Sequence, residues 1–181
     1  MYKPVGTVST ADDPQGRPTV VELVPGSIRV YPAGRLDADS EGLMVLTNDG
    51  DLTLRLTHPR FGVHKTYVVL VSGTVEPAAL RRLTDGVDLE DGPAAAIAAR
   101  MLDQSDGRAL VEIIMGEGRK RIVRRMFEVV GHPVERLVRT AIGPIRDGSL
   151  KAGEHRTLTI EEIRAVYAVG EEGSDDGRPN T

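Results

Sequence analysis

The densest chemistry in the chain lies in the segment Tyr31-Pro-Ala-Gly-Arg-Leu-Asp-Ala-Asp-Ser-Glu-Gly-Leu-Met-Val-Leu-Thr-Asn-Asp-Gly. It holds four carboxylates and one arginine, flanked by strand-forming residues. A loop held between rigid strands is where catalytic groups tend to sit, and Arg35 two residues before Asp37 can bring opposite charges together. The plain alternative is a solvated turn whose surface ion pair is worth about 0–1 kcal/mol. A second chemical alternative is an acid/base pair of Asp37 and Asp39, as in a glycosidase. Sugar sites want aromatic platforms, however, and the whole chain has four Tyr, two Phe and no Trp.

The other chemical feature is basic. From Glu117 to Arg139 seven basic residues face three acidic ones, although the chain as a whole carries −4. A local cationic patch on an acidic protein is a place for phosphate, and the distribution matters more than the sum. The alternative is a merely solubilising face. No Walker loop, no Gly-rich dinucleotide turn and no serine elbow occurs, so no phosphate-cofactor cradle or acyl-transfer nucleophile is visible. His58, His64, His132 and His155 lack zinc-ligand spacing, and with no Cys there is neither thiolate site nor disulfide framework. No metal site is expected.

The elements that must position these groups follow from periodicity. Strands are predicted at Thr19–Leu23, Ile28–Tyr31, Leu43–Leu46, Thr66–Val71, Ala109–Ile114 and Val134–Val138. Asp49 offers an N-cap to a helix over Leu52–Leu56, and Pro77 opens another through Leu83 with Gly86 after it. Ala94–Leu102 is ambiguous and is read as strand. Over Lys120–Val130, Ile122, Val123, Met126, Phe127 and Val130 share one helical stripe, leaving Arg121, Arg124, Arg125 and Glu128 outside it. A last helix is expected over Glu161–Val169.

Interspersed strands and helices without regular βαβ spacing point to an α+β fold with a mixed, mostly antiparallel sheet. Length allows one domain, 1–169, and the acidic, apolar-poor stretch 170–181 is expected to be a disordered tail. No apolar run reaches the roughly 20 residues of a membrane span, and the N-terminus lacks a secretory h-region, so a cytoplasmic protein is expected.

The run GRLDADSEGLMVLTNDGDL closely resembles the catalytic motif of the ribosomal-RNA pseudouridine synthases of the small-subunit-A and large-subunit-B/E/F type. Lys65-Thr66-Tyr67 resembles their K-x-Y motif, and Glu117-Gly118-Arg119-Lys120-Arg121-Ile122-Val123-Arg124-Arg125-Met126 their E-G-R-x-x-Q-V-R/K-R-M motif. Arg139-Thr140-Ala141-Ile142-Gly143-Pro144, with Leu150, Gly153, Arg156 and Leu158, resembles the closing motif, so the likeness runs from Lys3 to Tyr167. Two features depart from the pattern. Ile122 stands in place of the usual Gln, and the match opens almost at the first residue, so the small N-terminal RNA-binding domain that many relatives carry before it is expected to be lacking or truncated away.

The resemblance implies the pseudouridine synthase catalytic fold and a cofactor-independent isomerisation of a uridine in ribosomal RNA. It implies Asp37 as the catalytic carboxylate, attacking C1′ or C6 or acting as a base, with Arg124 as its ion-pair partner. Tyr67 would stack on the target uracil, and Arg35 would fill the gap left by the flipped nucleotide. Arg119, Lys120, Arg121 and Arg125 would contact phosphates. The closing run and Gly131-His132-Pro133-Val134 look most like the large-subunit-B branch, which implies large-subunit RNA near the peptidyl transferase centre. Small-subunit RNA and a non-catalytic RNA-binding module are the alternatives. The expected partner is ribosomal RNA, with no membrane and no small-molecule cofactor, the chain acting as a monomer.

Overall fold

The computed structural model describes residues 1–26 and 28–170. In chain order the elements are β1 (Tyr2–Lys3), β2 (Tyr31–Pro32), β3 (Glu41–Leu43), β4 (Leu46–Thr47), α1 (Gly50–Thr57), β5 (Lys65–Ser72) and α2 (Pro77–Asp85). There follow β6 (Val87–Leu89), β7 (Gly92–Ala94), β8 (Ala98–Ser105), β9 (Arg108–Met115), α3 (Ile122–Val129), β10 (Val134–Ile142), β11 (Ile145–Arg146) and α4 (Ile160–Ala168). The main sheet runs β1-β3-β10-β5-β9-β8, with β11 also on β10. Every pairing is antiparallel except β3 with β10. This is an α+β fold around a mixed, mostly antiparallel sheet.

The centre of the sheet reads as its sequence predicts. On β5 the alternate residues Tyr67, Val69 and Val71 are buried, as are Ala109, Val111, Ile113 and Met115 on β9. That period of two gives each strand one core face. The α3 stripe of Ile122, Val123, Met126 and Phe127 is buried in the same cluster. Asp49 caps α1 through bonds from the Asp51 and Leu52 amides, of 2.9 and 3.0 Å. A second cluster, around Leu43, Leu52, Leu56, Ile142, Ile145 and Val166, joins α1 and α4 to the edge of the sheet.

Other predicted elements fail for local reasons. Thr19–Leu23 is a turn, with Thr19 alone making an isolated bridge to Val8. There the Thr19 and Glu22 side chains bond each other's backbone amides, an alternative to a strand ladder. Of Ile28–Tyr31 only Tyr31 joins a strand, and Ile28 is 69% exposed, so no core face holds the rest extended. Leu43–Leu46 divides because Met44 bonds Met1 and Val45 bonds Ala33, carrying the chain from one partner strand to another. Ala94–Leu102 is strand at both ends, with Ala96 held to Leu83 between them. The helix expected from Lys120 begins at Ile122, since Arg121 sits in the left-handed region at φ 53°. The predicted tail, beyond Gly170, lies outside the described residues.

Candidate active site

Asp37 sits in a loop between β2 and β3 that is pinned on both sides of it. Leu36 is buried and exchanges two bonds with the Ser9 hydroxyl, of 2.6 and 3.0 Å. The Ala38 carbonyl accepts from the Gly6 amide at 2.7 Å, and the Ser40 amide closes a turn on the Asp37 carbonyl at 3.0 Å. Beneath lies Lys3, fully buried, whose ammonium donates to Ser40 O at 2.7 Å and Pro4 O at 2.9 Å. Burial pulls the Lys3 pKa down to about 8, against the attraction of Asp39, Asp37 and Glu41. With a third, longer contact to Ala38 O at 3.5 Å, the ammonium ties the loop to the first strand. Sequence reasoning assigned Lys3 no such role, although it opens the stretch that carries the family likeness.

A cavity of about 360 Å³ lies beside this loop, lined among others by Arg35, Asp37, Lys65, Tyr67, Lys120 and Arg139. Tyr67 is 9% exposed in mid-sheet, with Arg139 of β10 and Ile113 of β9 as its register neighbours. The predicted Asp37, Tyr67, Arg35 and Lys120 therefore meet in one concavity. A larger cavity, about 550 Å³, lies around Met1, Leu43, Ile145 and Ile163 and contains none of them. It is mostly apolar, and its Asp147 and Arg156 bond each other.

Arg124 departs from its expected pairing with Asp37. Its Nη2 donates to Asp39 O at 2.8 Å and its Nη1 to Val134 O at 3.2 Å, with Nε 3.4 Å from the Asp39 carboxylate. The 37–40 turn presents Asp39, rather than Asp37, to the start of α3, and Arg121 bonds the same carboxylate at 2.8 Å. Burial works to raise the Asp39 pKa, but the Arg121 bond and the charges of Arg124 and Arg121 outweigh it and hold the group below its ordinary value. Burial lowers the Arg124 pKa while Asp39, and at longer range Asp37, oppose that shift. Asp37 has no ion-pair partner among the described residues.

The expected phosphate contacts also divide. Arg125 grips Asp91 with two bonds of 2.8 and 3.0 Å, and Arg119 holds Asp91, Glu117 and the carbonyls of Gly92 and Pro93. The Arg125 bond, followed by the Arg119 and Arg125 charges, keeps Asp91 below the usual carboxylate range despite some burial. These two arginines fasten the β6–β7 hairpin to α3 and to the loop before it. Arg35 and Lys120 are exposed and have no carboxylate partner among the described residues. Among the described residues no three His, Asp or Glu come together as metal ligands.

Residues 1–129 match the family model described as RNA pseudouridylate synthase. A ribosomal large subunit pseudouridine synthase B of Bacillus subtilis is 38% identical over 178 residues, covering 97% of this chain and 73% of that protein. This chain belongs to the RNA pseudouridylate synthase family. An uncharacterised RNA pseudouridine synthase of Mycobacterium tuberculosis is 45% identical over 175 residues, 94% of this chain and 69% of the relative. A crystal structure of a pseudouridylate synthase superposes with a TM-score of 0.81 at 34% identity, covering 92% of this chain and 71% of the other. The synthase is thus an isomerase acting on uridine in RNA, and its fold is the pseudouridine synthase catalytic fold. No helix among the described residues is long and apolar enough to cross a membrane.

Proposed function

We propose that this synthase converts one uridine of ribosomal RNA, in the large subunit, to pseudouridine, with Asp37 as its catalytic carboxylate. The observation that carries the reading is the position of Asp37. It is clamped at Leu36 and Ala38, unpaired among the described residues, and faces the cavity lined by Tyr67. A fixed carboxylate beside a space for a flipped base is what the isomerisation needs. The large-subunit assignment draws on the B-type relatives of Bacillus subtilis and Shigella flexneri, both named ribosomal large subunit pseudouridine synthase B.

In the reaction the N1–C1′ bond breaks, the uracil turns, C5 bonds C1′, and the proton lost from C5 is balanced by one gained at N1. Tyr67 offers its ring to the base, Arg35 and Lys120 meet the RNA at the rim, and Arg124 and Arg121 hold Asp39 and so the shape of the turn. Bond making and breaking balance within the nucleotide, so neither redox equivalent nor ATP is consumed. Residues 1–169 would act as one catalytic domain, in the cytoplasm, as a monomer.

The test is to map pseudouridines in ribosomal RNA from cells with and without the gene, and to assay purified enzyme on large- and small-subunit transcripts. Loss of one large-subunit site, restored by wild type but not by Asp37→Asn, is expected. Turnover only on small-subunit RNA would overturn the target, and wild-type turnover by Asp37→Asn would overturn the site.

A further inference from the structure

Two further cations, Lys65 and Arg139, line the cavity. Lys65 begins β5 two residues before Tyr67, so both side chains leave the strand on one face. Its ammonium donates to the Val63 carbonyl at 2.7 Å and meets no carboxylate. Behind it Arg139 is 5% exposed, with Nε on Leu43 O at 2.8 Å and Nη1 on Arg35 O at 3.2 Å. Its Nη2 is buried with no hydrogen-bond partner.

Two neighbouring positive charges with no counter-ion, one of them buried, are costly to keep. Burial and the nearby Arg139 charge lower the Lys65 pKa to about 8. The carboxylates that share the cavity do not relieve this. Glu117 is held by two bonds from Arg119, and the charge of Asp37 is felt by Lys3 and Arg124. What completes such a site is an anion from outside.

The position within the cavity decides which anion. RNA phosphates stay with the backbone and meet the exposed Arg35 and Lys120. A base extruded onto Tyr67 comes to the face of β5 that Lys65 shares with Tyr67, in the same cavity. Breaking N1–C1′ leaves the electron pair on the uracil, so negative charge develops on its ring nitrogen and carbonyl oxygens whichever atom Asp37 engages.

We propose that Lys65 is a further catalytic residue, donating a hydrogen bond to a carbonyl oxygen of the departing uracil and stabilising its negative charge. Arg139, whose Nη2 is sealed from the cavity, is a positioning residue that reinforces the field and anchors the Asp37 loop through Arg35 O and Leu43 O. The inference rests on the assignment of this cavity to the target uridine. A donor aimed at charge that develops only in the transition state acts on the rate rather than on binding.

The test compares Lys65→Met and Lys65→Arg with wild type in single turnover at saturating enzyme, on RNA carrying uridine or 5-fluorouridine at the target. Fluorine stabilises the departing ring anion, so a cation matters less. Lys65→Met should slow loss of the N-glycoside about 10²–10³-fold on uridine but only about tenfold on 5-fluorouridine, with Lys65→Arg recovering much of the rate. The ratio between substrates cancels any unfolded fraction of the variant. Equal deficits on both substrates, or weakened RNA binding with an unchanged saturated rate, would overturn the proposal. If wild type itself forms no pseudouridine, the functional assignment fails instead, and the two failures are distinct.

Discussion

Gly42 is the residue on which the geometry of the site depends most sharply. It lies in β3 opposite Arg139, in the parallel pairing that brings the Asp37 loop onto the sheet. Its φ is +111°, and a Cβ there would lie 2.3 Å from Arg139 O, 2.6 Å from Arg139 N and 3.0 Å from Arg139 C. Those are backbone atoms of a central strand and cannot swing aside. For Gly42→Ala, backbone strain of about 1–3 kcal/mol adds to overpacking of about 1–3 kcal/mol, a loss of about 2–6 kcal/mol. Against a total stability of about 5–15 kcal/mol that is a large fraction. Gly107 supplies the control: at φ +72° its Cβ would meet nothing within 4 Å, so Gly107→Ala should cost only the conformational penalty of about 1–2 kcal/mol. Urea unfolding followed by circular dichroism measures both, with midpoints compared at matched slopes. A Gly42→Ala loss below about 1 kcal/mol, or one no greater than that of Gly107→Ala, would refute the claim that contact with β10 fixes this strand.

Asp37→Asn should abolish single-turnover pseudouridine formation while RNA binding persists, and Asp39→Asn should cost much less because Asp39 acts through Arg121 and Arg124; equal losses would favour an acid/base carboxylate pair. Asp91→Asn should free Arg125 for phosphate, while Arg119 stays with Glu117, steepening the log–log salt dependence of RNA binding by about 0.7 on single-stranded RNA, or about 2.6-fold more affinity loss between 50 and 200 mM salt. An unchanged slope in filter binding would show that Arg125 stays with the hairpin. The saturated rate should fall as pH rises through about 8, where Lys65 loses its proton among Arg139 of β10, Arg35 and Asp37 of the loop, His58, and Glu117, Arg119, Lys120 and Arg121 before α3, whereas Lys65→Arg should fall less, its remaining loss being that of Lys3, which titrates in the same range beneath the loop. Stability should move the other way over the same window, because unfolded lysine titrates near 10.5 and keeps the proton that folded Lys65 has lost; a stability that falls between pH 8 and 10 would contradict the shift.

What could be read from the sequence was local or carried by the family motifs. The α3 stripe, the Asp49 cap and the alternation on β5 and β9 each depend on neighbours within a few residues. The run of nineteen residues points to Asp37 and the K-x-Y motif to Tyr67 as site residues, and both line the cavity. The failures are contacts between distant segments. Nothing near Arg119 or Arg125 announces Asp91, 28 and 34 residues earlier, as their partner. Arg124 was matched to Asp37 by the motif, and only the turn closed by the Ser40 amide shows that Asp39 takes its place. Lys65 and Arg139 stood within matched motifs but had no assigned work, because burial without a counter-ion cannot be read from residue order.

The parallel pairing of β3 with β10 explains why these segments converge. In that register Val138 faces Glu41 and Arg139 faces Gly42, so the loop entering β3 lies at the same end as the turn entering β10. α3 immediately precedes that turn, which is why Arg124 can reach both Val134 O and Asp39 O. An antiparallel β3 would send the Asp37 loop to the far end of β10, away from α3. The same arrangement sorts the positive charge that the sequence shows only as a cluster. Asp39 and Asp91, both from outside the basic segment, engage four of its arginines. Among the described residues that line the cavity, the lysines and arginines left without a carboxylate are Arg35, Lys120, Lys65 and Arg139. On the proposed reading, attraction for the RNA backbone and stabilisation of the departing base fall to separate groups, so single substitutions should affect binding and rate independently.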